Sequence, residues 1–360
     1  MRDWSHVYAH LDLDAFYVSV ELGRRPELRG LPVVVAGTGP RAVVTTASYE
    51  ARRFGIFSAT PASRARRLCP DAVFVAPDFT AYRARSQEVM AILREHVERV
   101  EVVGLDEAYL DLSDLERPKV AARRLKIAVH ERTGLTASIG IGPNKLVAKV
   151  ASDAEKPDGF VVLSRVEACQ RFAAAPPGLL PGIGPKTAAR LSQYGIGSLG
   201  ALAATPEADL AGWFGPRLGH HLSRLARFED ERPLELVRVA KSESRETTFP
   251  TDLRGVAALE PELERLSREL CERLGERGQA GRTIGIKVRL EDFTTHTRDR
   301  SLPHPTNEAT TVASVAADLL RRFDPVRPVR LLGVRVAGLD AGCAGADGSR
   351  GRLDQLELSF

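Results

Sequence analysis

The sequence predicts an α+β protein of several domains, and three observations carry that prediction. Residues 7–163 alternate short apolar strands with helices, the pattern of a sheet covered by helices. Residues 174–232 change character to helix alone. Beyond Arg245 an order of strand, helix, strand, strand, helix, strand begins. At roughly 100–200 residues per domain, a chain of 360 residues has room for two to four such units.

The elements follow in order. Val7, Ala9, Leu11 and Leu13 face one way, and Tyr8, His10, Asp12 and Asp14 the other. That alternation predicts a half-buried strand with carboxylates at its end. Phe16–Leu22 reads as a helix, and Pro32–Ala36 and Ala42–Thr46 as strands around a Gly-Thr-Gly-Pro turn. Tyr49–Phe54 and Pro61–Leu68 read as short Arg-rich helices. Tyr82, Val89, Leu93 and Val97 recur near the 3.6 period, which predicts a helix over Phe79–Arg99. Val100–Val103 and Ala108–Leu112 read as strands around Gly104-Leu105-Asp106-Glu107. A helix over Lys119–Glu131, a strand over Leu135–Ile141, a helix over Asn144–Ser152 and a strand over Phe160–Leu163 complete this half. Ala174–Leu180 breaks the pattern, and Pro233–Ser244 has no clear period and reads as a linker. Next come helices over Val256–Arg277 and Glu308–Arg321, and strands over Thr283–Leu290, Thr295–Ser301 and Arg330–Ala337. A Gly/Ala/Asp/Ser-rich tail, expected to be disordered, precedes apolar residues that return at Leu353–Phe360.

Composition excludes several classes. With 43% hydrophobic and 27% charged residues, the chain is neither fibrous nor wholly disordered. No apolar run approaches the roughly 20 residues that span a bilayer, and the N-terminus does not read as a signal peptide. The four cysteines lie far apart without Cys-x-x-Cys, which excludes a disulfide framework or cysteine-rich zinc module and suits a reducing cytoplasm. A net charge of +4 is too small for histone-like binding, so local patches must hold any nucleic acid.

The carboxylates are the chemical signal. Asp12 ends a strand, and Asp106 and Glu107 are chain neighbours. Neighbours on a straight strand point to opposite faces, so both serve one site only at a turn, which Gly104 favours. Three carboxylates brought together repel and need a counter-charge, which hard divalent cations supply through oxygen ligands. Two such ions about 3.5–4 Å apart stabilise the attacking and leaving oxygens of a phosphoryl transfer. Taken alone, an Asp-x-Asp near a strand end is usually a cap, and an Asp-Glu pair a solvated face. The flanking residues decide the matter.

His10-Leu11-Asp12-Leu13-Asp14-Ala15-Phe16-Tyr17-Val18-Ser19-Val20-Glu21 resembles the first motif of the Y-family DNA polymerases, and Leu105-Asp106-Glu107-Ala108-Tyr109-Leu110-Asp111 their second carboxylate motif. Thr45-Thr46-Ala47-Ser48-Tyr49-Glu50-Ala51-Arg52-Arg53-Phe54-Gly55-Ile56 is similar to their nucleotide-binding finger segment. Ser138 to Ser152, with Lys156-Pro157-Asp158-Gly159, resembles the segment that closes the palm. Order and spacing match the family, closest to its DNA polymerase IV branch, over nearly the whole chain. One departure is Gly104, where the family usually has Ser; that residue is not a metal ligand, so the departure touches turn geometry only.

The resemblance implies a right-hand polymerase. It has a ferredoxin-like palm (1–15 and 78–166), small fingers (16–77) and a helical thumb with a helix-hairpin-helix (167–232). A linker (233–244), an α/β little finger (245–340) and a flexible tail (341–360) follow. It implies template-directed, error-prone translesion synthesis that adds dNTPs to a primer 3′-hydroxyl. No length is left over for a proofreading exonuclease. Asp12, Asp106 and Glu107 would hold two Mg²⁺ ions, or Mn²⁺ in their place, with the Leu13 backbone carbonyl as a further ligand. Tyr49, Arg52 and Lys156 match phosphate-contacting positions, and Thr46 offers a hydroxyl to the same phosphates. Tyr17 matches the steric gate, whose ring would clash with a ribose 2′-hydroxyl. Phe16 stands beside it among the nucleotide-binding positions, with core packing as its other reading. Asp14 is not a ligand in the family and is left out of the site.

Leu180-Pro181-Gly182-Ile183-Gly184-Pro185-Lys186 looks like a helix-hairpin-helix. There Gly182 and Gly184 let the backbone approach a phosphate and Lys186 adds charge, without reading base sequence. In the little finger, Arg282, Lys287, Arg289, Arg298 and Arg300 fall on or near strands; Arg289, Arg298 and Arg300 are the expected DNA contacts. The terminal Gln355-Leu356-Glu357-Leu358-Ser359-Phe360 resembles a bacterial sliding-clamp-binding motif, with Gln355, Leu356, Leu358 and Phe360 as its anchors. The partners implied are primer-template DNA, dNTP and the clamp. The chain would act as a monomer in the cytoplasm, associated with the nucleoid and with no membrane. Rival readings are a non-catalytic adaptor relative, a helix-hairpin-helix nuclease and a nucleotide cyclase. The retained carboxylates, the finger segment with Tyr17, and the thumb and clamp motifs weigh against them in turn.

Overall fold

A computed structural model describes residues 4–340, in which the chain forms two compact units. The first takes in the residues up to Thr38 and Val43–Val237; the second takes in Gly39–Ala42 and the residues from Arg238 onward.

In the first unit, β1 (Tyr8–Leu13) leads into α1 (Phe16–Arg24). A small lobe follows, of β2 (Val33–Ala36), β3 (Val44–Ala47), α2 (Tyr49–Arg52), α3 (Ala62–Leu68) and β4 (Val73–Val75), with sheet order β3-β2-β4. The chain returns through α4 (Phe79–His96), β5 (Val100–Val102), β6 (Glu107–Asp111), α5 (Pro118–Thr133), β7 (Ala137–Gly142), α6 (Lys145–Asp153) and β8 (Phe160–Val162). The main sheet has the order β5-β6-β1-β7-β8. β1 is central and antiparallel to both neighbours. It is buried at every residue, not on one face only as its alternation predicts. The reason is α6, which covers the face carrying His10, while Ala9 and Leu11 are wholly buried on the other.

Two glycines bring α6 that close. A Cβ at Gly140 would stand 2.1 Å from the Ala148 carbonyl oxygen and 2.2 Å from Ser152 N. A Cβ at Gly142 would stand 2.5 Å from a Val147 methyl. Only bare backbone in β7 lets the helix lie directly on the sheet. Asn144 caps α6, accepting from Val147 N at 2.9 Å and donating to the Phe228 carbonyl at 2.9 Å.

The other side of α6 meets α7 (Arg165–Arg171), α8 (Pro185–Gln193), α9 (Leu199–Ala204), α10 (Glu207–Phe214) and α11 (Pro216–Ala226) through one core. Leu146 and Val150 of α6 share that core with Leu180, Leu191, Leu202, Leu222 and Phe228.

The second unit holds β9 (Ser242–Leu253), α12 (Val256–Glu276), β10 (Gly281–Leu290), β11 (Thr295–Thr306), α13 (Ala309–Phe323) and β12 (Val329–Leu339). The sheet order is β11-β10-β12-β9, antiparallel throughout. Ile284, Ile286 and Val288 face Leu263, Leu270 and Leu320 of the two helices in one core. β9 starts at Ser242, paired with Ala337, so the last three residues of the expected linker belong to the ladder. Cross-strand bonds supply there what local pattern lacks. β11 runs to Thr306 through Pro303 and Pro305, beyond the expected end at Ser301. It is an edge strand, where a missing N–H leaves no partner unpaired.

Among the described residues, no helix is long and apolar enough to cross a membrane.

Candidate active site

Pairing of β1 with β6 sets Asp12 opposite Glu107, and with β7 opposite Ser138. Asp106 lies in the bend just before β6, its carbonyl accepting from Leu13 N at 2.8 Å. The bend sets Asp106 near enough to feel the charges of Asp12 and Glu107, but the ligand atoms that lie within 4.8 Å of one another are those of His10, Asp12 and Glu107, and Asp106 is not among them. Gly104 has no positive φ, so the bend does not need glycine's freedom. The local pressure is packing instead: a Cβ there would stand 3.1 Å from Asp106 Oδ1 and 3.3 Å from Glu107 Cγ.

The site is dense in charge. Lys149, on α6, has its Nζ 3.0 Å from Asp12 Oδ2 and 2.7 Å from Glu107 Oε2. Lys156 Nζ stands 2.6 Å from Asp12 Oδ1 and 2.7 Å from Asp153 Oδ1. Burial and the charges of Asp12 and Glu107 push the Asp106 carboxyl up to about 6. Burial works the same way on Glu107. There the His10 contact and the Lys149 ammonium outweigh it and hold the carboxyl down to about 2. Burial alone would lower the Lys149 ammonium, but Asp12, Asp153 and Glu107 raise it.

His10 is wholly buried beneath this cluster. His10 Nδ1 lies 2.9 Å from Ser152 Oγ, which donates to the Lys149 carbonyl at 2.7 Å. His10 Nε2 lies 3.3 Å from Glu107 Oε2. Ligand atoms of His10, Asp12 and Glu107 all lie within 4.8 Å of one another. The carboxylates are hard oxygen donors around a buried site and fit a divalent cation.

Comparison with known proteins joins this geometry to a chemistry. The impB/mucB/samB family profile matches residues 11–153, and its C-terminal domain profile matches residues 240–350. A DNA polymerase IV from Alkalilimnicola ehrlichii is 45% identical over 92% of this chain and 94% of its own length. One from Methanoculleus marisnigri is 41% identical over 95% and 97%. One from Streptomyces coelicolor is 43% identical over 92% and 70%. The chain belongs to the Y-family DNA polymerases, DNA polymerase IV type. A solved Y-family DNA polymerase chimera, Dbh-Dpo4(243-245)-Dbh, matches with a TM-score of 0.82 and 29% identity. It covers 92% of this chain and 98% of that one. The fold is accordingly that of a right-hand Y-family polymerase, and the activity is DNA-directed translesion DNA synthesis on a DNA substrate, with divalent metal. The adaptor reading has no support beside them.

Around this Y-family site the remaining residues fall as follows. Tyr17 is 9% exposed and stacks on Tyr82 at 4.6 Å between centroids, with Phe79 at 5.8 Å. Burial, then the Asp106 charge, push its hydroxyl up to about 12. Phe16 is buried at 2% and packs beside Tyr17 and Tyr82, so packing is its visible role. Thr46 is buried on β3. Arg52 lies over the Tyr49 ring at 4.5 Å and donates to the Ala47 carbonyl at 3.0 Å.

Sequence reasoning gave no role to Lys149 or His10, and it left Asp14 out of the metal site, where the structure also leaves it out of the ligand group. Asp14 is buried and accepts from Ser138 Oγ at 2.8 Å and from Asp158 N at 2.8 Å, with Tyr49 OH at 3.5 Å. It braces the loop of Lys156 against β7. The period-2 face of His10, Asp12 and Asp14 was the available signal.

The DNA-side residues separate. Gly182 has φ 94, and Gly184 caps α8 without a side chain, with Lys186 exposed in its first turn. The element before this hairpin is one 3-10 turn, Pro177–Leu179, not a long helix, because Pro176-Pro177 disfavours α conformation in the preceding residues. In the second unit Lys287 and Arg289 pair opposite Thr297 and Thr295, on the sheet face away from the helices. Arg298 and Arg300 pair opposite Ile286 and Ile284, so they share the helix-side face. Arg300 bonds Asp318 at 2.7 Å, and Arg298 lies 5.2 Å over Phe323. These four cations therefore form no single patch. Gln355, Leu356, Leu358 and Phe360 lie outside the described residues.

Proposed function

We propose that this chain extends a primer by joining its 3′-hydroxyl to the α-phosphate of a dNTP, with Asp12, Asp106, Glu107 and the Leu13 carbonyl holding two Mg²⁺ ions. The observation that carries this is the convergence of Asp12 and Glu107 across the β1–β6 ladder, with Asp106 raised by burial and then by their charges. Bound there, the ion pair supplies charge at the attacking and leaving oxygens. The chain's own groups orient and neutralise. Lys156, Tyr49 and Arg52 meet the triphosphate, with Thr46 donating its hydroxyl. Tyr17 lies under the sugar, its ring fixed by the stack on Tyr82, and excludes a 2′-hydroxyl by steric clash. Mn²⁺ satisfies the same oxygen donors as Mg²⁺.

In this reading 1–15 and 78–166 are the palm, 16–77 the fingers and 167–232 the thumb. Residues 242–340 are the little finger, taking in the start of β9. Gly182, Gly184 and Lys186 grip backbone phosphate. Arg289 contacts DNA from the open sheet face, whereas Arg298 and Arg300 lie on the helix side, engaged by Phe323 and Asp318. Gln355–Phe360 docks a sliding clamp, and the chain works as a monomer at the nucleoid. Extension of a primed template with dNTPs and Mg²⁺, beside an Asp106→Ala control, tests the core of this. Extension by the control equal to the parent would sink it. Deleting 355–360 should leave distributive synthesis and remove clamp stimulation.

A further inference from the structure

The two oxygens of Asp12 each carry an ammonium group: Lys156 on Oδ1, and Lys149 on Oδ2, which it shares with Glu107 Oε2. These are the same atoms to which the carboxylate reading assigns metal. An ammonium 2.7–3.0 Å from these oxygens sets a positive charge where a second cation would bind, so the two compete by repulsion. The Lys149 backbone is held on both sides, because α6 lies directly on Gly140 and Gly142 while its Leu146 and Val150 fill a core on the other face. Its side chain can move, since lysine ends in a compact charge on a flexible four-carbon stem. A destination exists: Asp153 Oδ2, one helical turn on, is 3.7 Å from the same Nζ and more exposed than Asp12.

We propose that Lys149 is a built-in counter-ion that keeps the carboxylate site assembled without metal and is displaced toward Asp153 when a divalent ion binds. The inference rests on the reading of Asp12 and Glu107 as metal ligands. It explains why an otherwise repulsive buried cluster carries two lysines. It also makes metal affinity a competition with an internal cation, not a simple sum of ligands.

Three measurements on the full chain without DNA test it. Mn²⁺ titration followed by electron paramagnetic resonance should show Lys149→Met binding about tenfold more tightly than the parent, because a like charge has gone. Lys149→Arg, which keeps the charge, should stay near the parent. Thermal denaturation in EDTA should show Lys149→Met melting lower, with a larger gain on adding Mn²⁺ than the parent shows. On the unmutated protein, acetylation of Lys149 read by mass spectrometry should rise several-fold when Mn²⁺ is added. Unchanged or weaker Mn²⁺ binding by Lys149→Met, or Lys149 labelling that does not rise, overturns the inference. Asp12→Asn separates the two layers: it should lose Mn²⁺ binding, and if it binds as the parent does, the carboxylate reading itself falls.

Discussion

The cations of the two units are used in opposite ways. In the first, Lys149 and Lys156 are each 21% exposed and converge on one carboxylate, Asp12. In the second, Lys287 pairs with Glu246 and Arg335 with Asp299, at 34% and 46% exposure, spread over the open sheet face. Buried pairs are screened little by salt, while exposed ones exchange partners at small cost. The first arrangement fixes atoms for chemistry. The second leaves its ion pairs open to exchange with other anions, which would suit the phosphate grip proposed for this unit.

The largest effect should come from breaking the fixed side. Asp106→Ala should lower primer extension by about 10³-fold, the scale of losing a preorganised electrostatic group. Comparable activity would erase the contrast between the two units. Gly140→Ala comes next, since its Cβ would meet backbone at 2.1 Å. It should destabilise the first unit by about 3 kcal/mol or more in urea unfolding. Tyr17→Ala should raise ribonucleotide incorporation by about 10²-fold with dNTP use largely kept; unchanged sugar selectivity would remove the gate.

A pH series sharpens the same side. The Asp106 carboxyl, raised from 3.8 to about 6, keeps its proton in the metal-free fold at pH values where the unfolded chain has lost it. Its contribution therefore favours the fold at low pH and is lost as pH rises through about 6. Metal must displace that proton, so Mn²⁺ affinity should climb up to about pH 6 and then level off. Asp106→Asn should flatten that rise. The smallest effects belong to the exchangeable side. Arg289→Ala should weaken DNA binding evenly across sequences and reduce the salt slope by about 1. Arg300→Ala, tied to Asp318 on the helix side, should leave the slope unchanged. A loss of slope there would mean that DNA also meets that face.

Much of this was legible in the chain itself. Period-2 alternation placed β1, and two motifs placed its carboxylates. What stayed hidden depends on close approach. Nothing local in Lys149 says that it faces Asp12; that follows only once glycines in β7 admit α6. The alternation of Arg298 and Arg300 with Thr297 and Asp299 was present, yet which face carried helices emerged only from pairing with Ile284 and Ile286. The strand beyond Ser301, through Pro303 and Pro305, is possible only because it lies at the sheet edge.

The double-sided burial of α6 bears on how this enzyme can be cut. Leu146 and Val150 fill a core completed by Leu191, Leu222 and Phe228, although the catalytic strands end at Val162. A fragment stopped after β8 would present that apolar seam to water and should aggregate. The smallest autonomous catalytic piece extends past Phe228, so the helices that follow the sheet are part of its foundation and cannot be removed as an accessory.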